Sequence, residues 1–434
     1  MDTELTQRKI FYFWLPLAAT WFMMSIEGPF LSALIARLPD PKFNLAAYGV
    51  AFSFALVIEA PVIMMLSAAT TLVRNSQSYF SLRKFNWLLI GLLTLLMIIL
   101  VIPAIFYFIA EDLVGLPKEV SHLTHLSLIF MIPWPGAIGF RRFYQGILIR
   151  NNLTRRVAYG TTIRILTIVL SALILFFATK LPGALVGAAS LSIAVVFEAI
   201  ATRFMAARIV QQIKAGVLLH SSEYDINQKQ IFSFYLPLAL TSLLTLGVQP
   251  FVTFFIGQSR SPIESLAIMP VVTSFVFIFR GLGLSFQEVV VALLGDQRKG
   301  YDQLKIFAIR LASILAGILI IIAFTPLSEF WFKGVSGLTD YLADLASEPL
   351  MIMSFFPALT VLICFQRGAL VSVKETKPIT FGTALEFITI IVALFIAIKY
   401  FSAIGAIAAT ISFVLGRIAA NIYLIRPFMR AIKQ

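Results

Sequence analysis

Eleven ionisable side chains interrupt long apolar runs of this 434-residue chain: Glu27, Glu59, Arg141, Arg142, Arg164, Glu198, Arg280, Glu288, Arg367, Glu386 and Arg417. A charge at the centre of a bilayer costs about 2.5–3.5 kcal/mol on insertion scales, so eleven facing lipid would together cost roughly 30 kcal/mol. They must face water, a solute or one another. Guanidinium is a planar fork suited to carboxylate and phosphate, and it stays charged at any physiological pH. Arg141, Arg142, Arg367 and Arg417 lack an equal number of acids at comparable depth. With Arg280, they are the expected contacts for an anionic solute. The structural alternative is neutralisation by Glu27, Glu198 and backbone carbonyls. Glu27 stands beside Gly28-Pro29 in the first apolar run. A partly desolvated acid can take up and release a proton, so Glu27, then Glu59, are the expected sites of a coupling ion, H⁺ or Na⁺. For either acid a structural ion pair is the competing role.

The rest of the composition narrows the chemistry. The chain is 59% hydrophobic and only 13% charged, with mean hydropathy +0.93. Soluble domains average about 45–50% apolar and about 25% charged, so the solvent expected here is lipid. The first run, Ile10–Ile35, is too long for a signal peptide and holds a glutamate; it reads as a first span. Cys364 is the single cysteine. His122, His125 and His220 lie outside the apolar runs with no thiol or carboxylate beside them, so no metal site and no cofactor is expected. The net charge of +13 fits cytoplasmic loops facing anionic lipid, with no nucleic-acid partner. No phosphate-binding loop or nucleophile–base arrangement occurs, which argues against an enzyme or an ATP-driven pump.

A span needs about 20 apolar residues. Twelve such runs occur, roughly 10–35, 44–72, 85–110, 121–149, 156–179, 182–207, 228–256, 262–294, 303–329, 341–372, 377–398 and 401–427. Nineteen basic residues fall in the terminal segments and alternate loops, from Arg8 and Lys9 through Arg298, Lys299 and Lys374 to Lys433; the opposite loops carry seven. Both termini are therefore expected in the cytoplasm. The longest polar connection, 208–229, lies at the midpoint and reads as a linker between an N-terminal half, 1–207, and a C-terminal half, 230–434.

The halves repeat each other. "FYFWLPLAAT" (11–20) overlays "FSFYLPLALT" (232–241) at an offset of 221, and Pro29-Phe30 falls on Pro250-Phe251. "FYQGILI" (143–149) overlays "FQRGALV" (365–371) at an offset of 222. Six spans per half make the repeat parallel, with a pseudo-twofold axis along the membrane normal. The expected fold is an all-α polytopic membrane protein of two six-helix lobes. Prolines 16, 29, 61, 237, 250 and 270 cluster in the first two spans of each half, where they bend helices and free carbonyls. The repeat places Glu59 on Arg280 and Arg164 on Glu386, opposite charges at matching positions. Either pair is a candidate inter-lobe gate; the alternative is that each charge pairs within its own lobe.

Two lobes with Leu-Pro-Leu early in each resemble the multidrug/oligosaccharidyl-lipid/polysaccharide (MOP) exporter superfamily, whose members include the MATE transporters. The stretches "LAAYGVAFSF" (45–54), "YLPLAL" (235–240), "QGILI" (145–149), "SFFP" (354–357) and "SAIGAIAATIS" (402–412) are similar to the progressive ankylosis (ANK) family. That resemblance implies a secondary transporter exporting a small organic or phosphorylated anion of the citrate, nucleotide or pyrophosphate class by alternating access. It also implies a monomer in a microbial cytoplasmic membrane, since the chain does not show the long polar tail of animal members. Sister families imply two alternatives: an Na⁺- or H⁺-coupled antiporter of organic cations, or a flippase for lipid-linked sugars.

Overall fold

A computed structural model describes residues 5–151, 153–216, 226–294, 300–373 and 375–433. His220, Arg298, Lys299, Lys374, the side chain of Lys433 and the 217–225 part of the expected linker lie outside the described residues. Among the described residues, eleven helices are long and apolar enough to cross a membrane, and a bent pair makes a twelfth. They are α1 Gln7–Ile35, α2 Pro41–Leu72, α3 Ser76–Val101, α4 (Lys118–Phe130 bent by 40° into Trp134–Arg150), α5 Thr154–Ala178, α6 Gly183–Lys214, α7 Gln228–Gly257, α8 Pro262–Leu293, α9 Tyr301–Ala323, α10 Asp340–Ser372, α11 Lys377–Lys399 and α12 Gly405–Ile432. The first part of the expected linker is thus the end of α6.

The repeat extends to backbone irregularities. α1 breaks at Ile26 and α7 at Gly247; α2 breaks at Met64 and α8 at Ser285. Both pairs stand 221 apart. Asp40 and Ser261, also 221 apart, take left-handed conformations just before Pro41 and Pro262. Single π-helical turns at Phe108–Leu113 and Phe330–Val335 stand 222 apart. Such breaks are local departures from a ladder of i to i−4 bonds, and apolar composition alone would not reproduce them at fixed offsets.

Two compact units result: residues 1–46 with 254–434, here unit 1, and residues 47–253, unit 2. They correct the boundary expected from sequence, because α1 belongs with the C-terminal helices and most of α7 with the N-terminal ones. Hydrogen bonding at the helix breaks supplies the physical reason. In unit 2 the break at Met64 leaves carbonyls of the preceding turn open. The Tyr235 hydroxyl of α7 donates to the Pro61 carbonyl, and the Ser242 hydroxyl donates to the Ala60 carbonyl at 2.6 Å. At the Ser285 break in unit 1 the Leu282 carbonyl accepts from the Ser285 hydroxyl at 2.7 Å and from Trp14 Nε1 of α1 at 3.3 Å. Trp14 matches Tyr235 and Leu282 matches Pro61 at the same offset of 221. A buried carbonyl needs its donors in lipid, and each broken second helix takes side-chain hydrogen bonds from the opposite half's first helix.

In unit 1, Ile10, Trp14 and Ala18 of α1 join Phe286, Val289, Phe307, Phe365 and Phe428 in one apolar core. Arg37, just after α1, donates to the carbonyls of Gly334 (3.0 Å) and Val335 (2.8 Å) and so holds the second π-turn. In that turn, hydrogen bonds to Glu329 first and Asp340 second keep the Lys333 ammonium above the usual lysine range. In unit 2, α4 packs between α2, α3 and α6, and α5 packs on α6.

One matched pair of glycines marks a close helix contact in each unit. A Cβ on Gly146 would come within 2.6 Å of Ala69 Cβ, and one on Gly368 within 2.7 Å of Val290 Cβ. The two glycines are repeat mates. Overpacking typically costs about 1–3 kcal/mol. Gly146→Ala and Gly368→Ala should each lower the thermal melting temperature in detergent, whereas Gly91→Ala, on a helix surface with open space around it, should not.

Candidate functional site

Each unit holds a buried polar cluster, built in unit 2 from α4, α5, α6 and the broken α2 and in unit 1 from α10, α11, α12 and the broken α8. In unit 2, α4 presents Arg141, Arg142 and Gln145 at helical spacing on one side. Arg141 forms an ion pair with Glu198 of α6, and both side chains are buried, 5% and 1% exposed. Arg164 of α5 stands 3.9 Å from the same carboxylate, and Gln145 Nε2 donates to its other oxygen at 3.3 Å. Glu59 of α2, also buried, accepts a hydrogen bond from Trp134 Nε1 at the start of the second α4 segment. Among the described residues Arg142 has no carboxylate within ion-pair distance, and its Nε has no hydrogen-bond partner. Three guanidinium groups face two carboxylates here.

In unit 1, Glu386 of α11 is shared. Arg417 Nε of α12 donates to Oε1 at 2.8 Å, while Arg367 Nη2 of α10 lies 3.8 Å from Oε2 and donates to Thr383 at 3.0 Å. Arg280 of α8 has no carboxylate within ion-pair distance among the described residues. Its guanidinium lies over the ring of Phe356, 4.6 Å from the centroid, and its Nε has no hydrogen-bond partner. Arg417 lies against the same ring at 5.0 Å. Stacking on an aromatic face is favourable for guanidinium, but two cations on one ring repel. Three guanidinium groups face one carboxylate, an excess of two positive charges among the described residues.

The clusters are repeat mates with exchanged charges. Glu59 with its Trp134 donor occupies the place of Arg280 with its Phe356 ring, Arg164 that of Glu386, and Gln145 that of Arg367. An acid meets an indole N–H in one unit; a guanidinium meets a ring face in the other. The buried pair Arg141–Glu198 has no charged counterpart. Its mates Ile363 and Ala420 belong to one apolar core in unit 1.

The expected site residues thus fall into two groups, Arg141, Arg142, Arg164 and Glu59 in unit 2, and Arg280, Arg367, Arg417 and Glu386 in unit 1. Arg164 and Glu386, offered as gate partners, each lie near an opposite charge of their own unit, Arg164 near Glu198 and Glu386 near Arg367 and Arg417. Glu27 stands apart, half-buried at the start of the second α1 segment, where a carboxylate is favoured by the helix dipole. Trp134, Phe356, Gln145 and Thr383 were not anticipated. The repeat register pairing Trp134 with Phe356 was the available signal.

No protein-family model and no curated protein matches the sequence. Solved structures do match the fold. An inward-facing multidrug resistance MATE family transporter of the MOP superfamily superposes with a TM-score of 0.74 at 14% identity, covering 95% of this chain and 94% of that one. The lipid II flippase MurJ, in an inward closed conformation, superposes with a TM-score of 0.69 at 16% identity, over 96% and 90%. A MOP superfamily transporter from Pyrococcus furiosus, described as having a binding pocket of reverse polarity that suggests a different function, gives 0.67 at 14% identity, over 99% and 98%. Identities this low speak to architecture only: the described residues share the helical fold of these MATE and MurJ structures.

Proposed function

We propose that this protein is a secondary transporter that moves a small, multiply charged organic or phosphorylated anion across the membrane by alternating access. The observation that carries the reading is Arg280, held over Phe356 with no carboxylate within ion-pair distance among the described residues and with Arg417 and Arg367 beside it sharing one glutamate. A guanidinium kept at depth without a counter-ion is costly. A site that binds an anion during its cycle gives that arrangement a use. The MATE-like fold and the resemblance to the ANK family agree with it, and the reverse-polarity pocket described for the Pyrococcus furiosus transporter fits a fold that accommodates more than one substrate polarity. Citrate, nucleotide and pyrophosphate are the substrates to try, with H⁺ or Na⁺ as coupling ion through Glu27 or Glu59.

The buried Glu59 favours a second reading, export of organic cations. One experiment separates them: uptake into proteoliposomes of labelled citrate, ATP and pyrophosphate beside a cationic dye, with and without Na⁺ and pH gradients. Gradient-dependent movement of at least one anion is expected. Dye movement with no anion movement would replace the proposal by the cation reading.

A further inference from the structure

We infer that the Glu386 carboxylate is a resident occupant of the unit 1 anion site, and that a solute anion binds there by displacing it from Arg417 and Arg367. The inference rests on the anion reading and adds a competitor built into the chain.

The geometry is that of a bridging anion rather than of a fork-to-fork ion pair. Glu386 gives one oxygen to Arg417 Nε and turns the other toward Arg367 Nη2. A guanidinium offers five N–H donors, and a stable buried pair uses two on one carboxylate in parallel. Here Arg417 directs its Nε at Oε1, and Arg367 spends its Nη2 hydrogen bond on Thr383. The Nε atoms of Arg367 and Arg280 are buried without partners. Donors aimed into the cluster therefore outnumber the acceptors that Glu386 supplies.

Charge leads to the same conclusion. With Glu386 in place the three arginines carry an excess of two positive charges. With it withdrawn the excess is three, which matches a citrate or a pyrophosphate better than a monocarboxylate. The Glu386 side chain is 13% exposed, and displacement requires rotation about its own bonds. Its repeat mate is Arg164, so the position has no need of an acid to build the helix contact. The symmetric site in unit 2 meets its positive charge with a glutamate from α6 instead.

The test uses the purified full chain in detergent. Binding of citrate, pyrophosphate and lactate is measured by calorimetry for the wild type, Glu386→Gln and Glu386→Asp, with melting temperatures recorded with and without each anion. Glu386→Gln should bind citrate or pyrophosphate at least 10-fold tighter than the wild type. Its melting temperature, lowered by unbalanced arginines, should be raised by those anions more than the wild type's is, and lactate should do neither. Glu386→Asp should tighten binding by a smaller factor, and it decides the matter if the glutamine variant does not fold. Titration with phosphatidylglycerol distinguishes a lipid headgroup: a larger shift in the variant with that lipid alone keeps the displacement and reassigns the anion. Binding by the wild type that is equal or weaker in both variants would overturn the inference and leave the anion reading standing. Absence of anion binding in all three proteins would remove the anion reading itself.

Discussion

Arg280→Gln should reduce anion transport by about 10- to 150-fold while leaving the protein folded. Hydrogen bonds to charged groups contribute about 1.5–3 kcal/mol, and each 1.4 kcal/mol is about tenfold in affinity. Arg280 is the guanidinium of the unit 1 cluster that makes no ion pair among the described residues, so removing it breaks no internal pair. It also relieves the repulsion between two cations on the Phe356 ring. The melting temperature should therefore hold or rise as transport falls, a combination that a purely structural role would not produce. Arg280→Lys keeps the charge but loses the planar fork and the stacking, and should lie between. Initial uptake rates in proteoliposomes and melting curves of the same preparations check both halves. A drop in stability that tracks the loss of transport would mean that Arg280 holds α8 in place and does not contact the solute.

The largest stability effect is expected at Glu198. Removing one partner of a buried ion pair leaves an unbalanced charge and costs about 3–5 kcal/mol. Glu198→Ala strands Arg141 in a site where both were almost wholly buried, and should lower expression and melting temperature together. The other half of the chain shows the remedy, since Ile363 and Ala420 fill the corresponding places with apolar contact. Arg141→Ile combined with Glu198→Ala should recover most of the lost stability, because a buried pair replaced by packed apolar groups is often neutral or better. Full recovery is not expected, since Arg164 and Gln145 also lose a carboxylate. A double variant as unstable as the single one would mean that the pair contributes more than mutual neutralisation, and would place Arg141 among the residues the transport cycle needs.

Much of this was written in the sequence, and the reasons are specific. Apolar runs of span length gave the twelve helices, because a lipid solvent imposes composition on every residue of a span. Proline positions marked α1, α2, α7 and α8 as irregular, though the breaks themselves fall at Ile26, Met64, Gly247 and Ser285. The offsets of 221 and 222, found from short matching stretches, hold in the backbone down to single residues. Neighbour choice was not legible. Every helix of this chain is apolar on most faces, so nothing in α1 says whether it packs on α2 or α8; the deciding groups are carbonyls, which the sequence does not display. The charges were visible as a set but not as pairs. Arg164 matched Glu386 by register, yet its ion partner is Glu198, one helix away in the same unit. Phe356 escaped notice because a phenylalanine among 40 carries no mark of the cation lying on its ring.

The helix exchange has a consequence for how the protein is made. Translation delivers α1 first, but the carbonyl that Trp14 meets, at Leu282, lies in α8, 268 residues later in the chain. Until α8 has entered the bilayer, α1 is an orphan at the insertion machinery, and unit 1 cannot close before α12 follows. The opposite order governs α7, which on emerging finds the open carbonyls of α2 already waiting. Assembly should therefore proceed with unit 2 completed first, leaving the nascent first helix as the segment most dependent on chaperoning during synthesis.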